Sequence, residues 1–135
     1  PSVLANLDRI LEEARKRAHE QFGLGKETGR EVHFRVYGRD GVMGGLEPSG
    51  RTCHEAGLFI EAVAGTQEEA TSLCMFAHAS VLHQGFPGRT STAGNLAFPM
   101  SPQDVPAGEV HRFSVYHLME EDDPASLFPV KIVEV

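Results

Sequence analysis

The stretch PGRTSTAGN, residues 87–95, gathers the residue types that hold an anion. Arg89 offers a planar guanidinium that can pair with a carboxylate or phosphate through two N–H groups. Ser91, Thr92, Asn95 and the backbone N–H groups of a glycine-containing turn add further donors. Thr92 and Asn95 would equally serve an ordered loop by satisfying its own backbone, so a ligand site and a purely local role both stand at this level. Beyond this stretch, His117 is the candidate general acid or base, because an imidazole changes charge near neutral pH.

Sulfur and imidazole recur elsewhere. Cys53, His54 and Glu55 are contiguous, and Cys74 and His78 lie one helical turn apart. Zinc takes such ligands, but adjacent side chains on an extended chain point to opposite faces, and Cys74 falls within an apolar stripe. A small core cysteine beside a satisfied histidine is the simpler account, and no metal site is assigned. A Cys53 nucleophile with His54 or His117 as its base is the corresponding enzymatic arrangement, although such a pair specifies little without geometry. GRDGVMGG, residues 38–45, follows a strand as phosphate-binding loops do. It lacks the lysine and the following helix of those motifs, and turn formation accounts for its glycines. Glu120, Glu121, Asp122 and Asp123 precede Pro124 and read as a solvated turn.

The elements that must position these residues follow from periodicity. Val3, Leu7, Ile10, Leu11, Ala14, Ala18 and Phe22 fall on one face of a helix over 3–22, which Gly23, Gly25 and Gly29 terminate. EVHFRVYG, 31–38, alternates Val32, Phe34 and Val36 against polar neighbours as a half-buried strand does. A long glycine-rich connection leads to LFIEAVAG, 58–65, whose nearly continuous apolar run suits a central strand. In TQEE, Thr66 and Glu69 form a capping box, and Ala70, Leu73, Cys74, Ala77 and Val81 continue at helical spacing up to Gly85. Leu96, Phe98 and Met100, spaced two apart, lead the following loop into a strand. GEVHRFSVYHLM, 108–119, and LFPVKIVEV, 127–135, read as two more strands. The order αββαββ predicts an α+β fold, a two-layer sandwich in which both helices cover one face of a four-stranded, mainly antiparallel sheet. This is the ferredoxin-like order with its first strand moved to the end.

A length of 135 residues at 41% hydrophobic fits one compact domain with one core. The formal net charge of −7 opposes a nucleic-acid partner, and no apolar run is long enough to span a bilayer. Charge at Asp8 and Arg9 interrupts the opening segment, unlike a secretory signal. Two cysteines, Cys53 and Cys74, offer no disulfide framework and suit a reducing, cytoplasmic setting. The start on Pro1, directly into a helix, reads as a fragment of a longer protein.

HEAGLFIEAVAGTQEEA, HQGFPGRTSTAGNLAFPMSPQDVPAGEV and FSVYHLMEEDDPASLFPV together resemble the C-terminal part of acyclic terpene utilisation (AtuA-like) proteins. The resemblance spans residues 32–135, and its most particular run goes from GFPGR through AGNLAFP to YHLM. It implies a bacterial cytoplasmic protein of branched acyclic terpenoid catabolism, with substrates such as citronellol and geraniol and their acyl-CoA forms or branched acids as ligands. It carries no cofactor. Its partner would be the larger N-terminal domain of the parent protein. On this resemblance the substrate-facing patch maps to Arg89, Thr92, Asn95, Ser101 and His117, with Glu55 as a neighbour. Two functions of different class follow: part of a composite ligand or enzyme site, or an assembly and oligomerisation module in which NLAFPM forms an interface.

Overall fold

The computed structural model describes residues 2–50 and 53–134. The helix expected over 3–22 is broken at Asn6 into α1, Ser2–Ala5, and α2, Leu7–Phe22. Leu7, Ile10, Leu11, Ala14 and Ala18 make the buried stripe of α2. Gly23 ends it in the left-handed region at φ 64°, where its N–H reaches the carbonyl of His19.

Strand β1, Glu31–Tyr37, pairs antiparallel with β2, Gly57–Val63, in a register running from Glu31 opposite Val63 to Tyr37 opposite Gly57. This register places Val32, Phe34 and Val36 beside Ala62, Ile60 and Leu58 on a single face. The opposite face is polar and open: Arg35 Nε lies 2.9 Å from both carboxylate oxygens of Glu61, and Tyr37 meets Phe59 edge-on.

Helix α3, Gln67–His83, begins as its capping residues dictate, with Thr66 Oγ1 accepting from the N–H of Glu69. The Glu69 carboxylate also meets Arg30 at 2.9 Å. The Arg30 guanidinium, followed by the Gly65 and Thr66 amides, holds it below the ordinary carboxylate value. Helices α2 and α3 cover the same face of the hairpin. One end of the core joins Ile10, Leu11, Ala14, Val36 and Val81, and the other joins Ala18, Val32, Leu73 and Ala77. A two-stranded sheet is marginal alone, and these helices supply the burial that holds it.

The four-stranded, ferredoxin-like sandwich is therefore not the fold. Among the described residues the sheet has two strands, and after α3 the regular structure is a single 3-10 turn, Pro124–Leu127. Residues 96–100, 108–119 and 127–134 form no strand. Arg51, Thr52 and Val135, the last of which belonged to the expected fourth strand, lie outside the described residues. Alternating apolar residues show that a segment fits a pleated surface, but pairing also needs an edge at the right place. Here every side chain described from 105 to 134 is exposed.

Candidate functional site

An open groove of about 390 Å³ lies where the ends of several elements meet. Val3 and Leu4 of α1 and Leu7 of α2 form one wall, while Val36 at the end of β1 and Leu58 at the start of β2 form another. Ala56 and Leu96 complete the apolar lining, and His54, Glu55 and Asn95 supply its polar groups.

Local backbone chemistry brings the two polar sides together. Gly38, at φ 93°, carries the chain out of β1, and a Cβ there would stand 2.8 Å from the carbonyl oxygen of Glu55. Only glycine lets the two ends of the 38–56 connection pass so closely, and this approach holds Glu55 over the hairpin. On the other side, Gly94 lies against Leu82 at φ 115°, where a Cβ would meet that side chain at 2.5 Å. Asn95 follows directly. Its N–H donates to the carbonyl of Leu82 at 2.9 Å, and its Nδ2 donates to Val81 at 2.8 Å and Gln84 at 2.9 Å.

Those bonds serve the end of α3. Gln84 leaves the helix in an extended conformation, so the last carbonyls need donors from elsewhere. Asn95 provides three bonds. Arg89 provides two more from Nη1, to His83 at 3.0 Å and Gln84 at 3.4 Å. A cation at a helix C-terminus also faces the negative end of its dipole. Arg89 thus caps a helix, and it is not a lining residue of the groove. With Nδ2 committed, Asn95 retains Oδ1 as an acceptor.

The groove lining contains no lysine or arginine. Its polar complement is the Glu55 carboxylate and the Asn95 side-chain oxygen, which accept hydrogen bonds, together with the His54 ring, which offers a donor as well as an acceptor; a bare carboxylate would meet the charge of Glu55. Of the residues singled out from sequence, the structure brings Glu55 and Asn95 to one groove. Thr92 and Ser101 are exposed on the loop after α3, and His117 is exposed in the C-terminal segment, so these three do not join it. The apolar members Val3 and Leu7 were legible only as part of a helical stripe and Leu4 was not picked out at all, because nothing local says which part of a helix remains uncovered.

A second cluster lies farther along α3. His78 Nδ1 is 3.0 Å from Asp104 Oδ1, and the Cys74 thiol faces the same oxygen at 3.8 Å and the Ile60 carbonyl at 3.7 Å. Burial first, and then the charge and hydrogen bond of Asp104, push this thiol up to about 11. It therefore stays protonated at neutral pH, which suppresses its reactivity as a nucleophile. Cys53 and Cys74 are both free. Among the described residues no group of three or more His, Cys, Asp or Glu side chains is arranged to hold a metal ion. The cluster ties the loop before Val105 to α3, with Phe98 edge-on to His78. Asp104 was not picked out from sequence, being 26 positions from its histidine partner.

Among the described residues no helix is long and apolar enough to cross a membrane. Comparison of the chain with protein-family models, with curated proteins and with solved structures finds no match to any of them.

Proposed function

We propose that the groove between α1, the hairpin end and Asn95 binds the branched apolar chain of a small amphiphile whose polar end is uncharged. The observation that carries this reading is its lining: apolar on both walls, with the Glu55 carboxylate and no lysine or arginine among its polar residues. Burial of an apolar chain supplies affinity of about 25 cal/mol per Å² removed from water, and the few polar groups fix orientation. A free carboxylate or phosphate would enter beside Glu55 with no compensating positive charge, because Arg89 is engaged by helix carbonyls.

Together with the resemblance to acyclic terpene utilisation proteins, this favours a C-terminal domain of a bacterial, cytoplasmic AtuA-like protein. In that setting an acyclic terpenoid would be held as its alcohol, whose hydroxyl can donate to Glu55 or Asn95, or as its acyl thioester, whose carbonyl can accept from the His54 ring, with the N-terminal domain of the parent completing the site. The test is calorimetric titration with citronellol, a citronellyl thioester and citronellate. Alcohol and thioester are expected to bind at least tenfold more tightly than the acid, and Leu4→Trp, which narrows the groove, is expected to abolish binding with the fold retained by circular dichroism. Tighter binding of the acid, or binding indifferent to Leu4→Trp, would remove the groove from the account.

A further inference from the structure

The face of the hairpin that the helices cover is a row of side-chain pairs set by its register. Val32 stands beside Ala62, Phe34 beside Ile60 and Val36 beside Leu58, and each pair packs into the core. The next step of the same period belongs to Gly38 and Ala56. The ladder itself ends at Tyr37 and Gly57, but the two backbones stay together beyond it, since a Cβ on Gly38 would stand 3.8 Å from Ala56 Cα. The row therefore runs out of side chain. Where Phe34 with Ile60 and Val36 with Leu58 each bring two large groups, this step brings a single methyl.

The groove opens at that step. Ala56 lines it and is half-buried against the core cluster around Ile10 and Val36. Gly38 cannot make up the missing bulk, because at φ 93° any Cβ there meets the Glu55 carbonyl oxygen at 2.8 Å. Ala56 alone is then free to set the width of the groove at this end. It also follows Glu55 directly in the chain. A ligand hydroxyl held by Glu55 therefore brings the first few carbons of its chain, and not the far end, to Ala56.

We infer that Ala56 is the specificity-determining residue of the groove, an assignment that rests on the groove's reading as a binding site. The space left beside its methyl takes a branch on the ligand chain close to the hydroxyl, and a larger side chain at this position excludes that branch. Fitting a methyl into the space gains only the burial of that methyl, whereas filling the space from the protein side makes ligand and side chain overlap. The loss on filling therefore exceeds the gain on fitting. A branch at the far end of the chain lies away from this step and is indifferent to the size of Ala56.

The test is calorimetric titration of the full chain with two isomeric alcohols built on a straight octanol chain. One carries a methyl on the third carbon counted from the hydroxyl end, the other on the seventh. The unmodified chain is expected to favour the near-branched isomer about fourfold, the worth of one buried methyl. Ala56→Val is expected to weaken that isomer roughly tenfold or more while the far-branched one stays within about twofold, so that the preference reverses. Retained binding of the far-branched isomer shows the groove intact in this variant. Ala56→Gly, which widens the step, is expected to keep the near-branched preference. Equal effects of Ala56→Val on the two isomers, or a preference lost in Ala56→Gly, would overturn the role of Ala56. Binding of both isomers to the unmodified chain without preference removes Ala56 alone, whereas binding of neither removes the groove reading and Ala56 with it.

Discussion

Arg89 Nη1 stands 3.0 Å from the carbonyl oxygen of His83, the last residue of α3, so the guanidinium whose chemistry suits an anion closes the end of a helix. Arg89→Ala is expected to lower unfolding free energy by about 1–2 kcal/mol in urea titrations, the loss of charge-assisted bonds to helix carbonyls. Affinity of the groove for citronellol is expected to stay within about twofold, below the tenfold step of 1.4 kcal/mol. A large loss of affinity with unchanged stability would return Arg89 to the ligand.

Gly38 is tested by what a side chain would meet there. A Cβ would lie 2.8 Å from the Glu55 carbonyl oxygen at φ 93°, whereas one at Gly88, φ 80°, would meet nothing within 4 Å. Gly88→Ala then suffers only the left-handed backbone term of about 1–2 kcal/mol. Gly38→Ala adds displacement of the 38–56 connection, for a total of about 2–4 kcal/mol. Thermal unfolding of both variants checks the order, and equal losses would contradict the close approach at Glu55.

The Cys74 thiol gives a pH dependence of definite sign. Its folded value of about 11 lies above the ordinary 9.0, so the native state keeps a proton that the unfolded chain has lost between those values. Stability is unaffected by this group below pH 9 and falls as pH rises from about 9 to 11. Cys74→Ser is expected to remove that slope, measured by urea unfolding across the window. Asp104→Asn, which removes the charge and alters the hydrogen bond that raise the value, is expected to speed alkylation of Cys74 at pH 8. An unchanged rate would leave burial as the whole cause.

How much of this was legible depends on whether the partner is local. Ile10, Leu11, Ala14 and Ala18, like Leu73, Ala77 and Val81, declare their helices through spacing alone, and Thr66 with Glu69 declares where α3 starts. Val32, Phe34 and Val36 declare the buried face of β1. The end of α3 was only half declared: a helix leaving through Gln84 without a left-handed residue must find donors for its last carbonyls, which was a signal to look for at Arg89 and Asn95. The segments at 108–119 and 127–135 show why pattern fails. Val110, Phe113, Val115 and Leu118 have the composition of a strand, but the edge that would receive them is set by three-dimensional placement, and among the described residues no strand pairs with them. The groove is illegible for the same reason, since Leu4, Leu58 and Leu96 meet only through the fold.

The central claim is a groove that takes an uncharged branched chain, and methyl-resolved NMR during titration with citronellol tests it most directly. Methyl signals of Leu4, Val36, Leu58 and Leu96 are expected to move together along one saturating curve, while those of Val115 and Val130 in the C-terminal segment stay in place. Unmoved groove methyls at saturating citronellol, or shifts confined to the C-terminal segment, would contradict it.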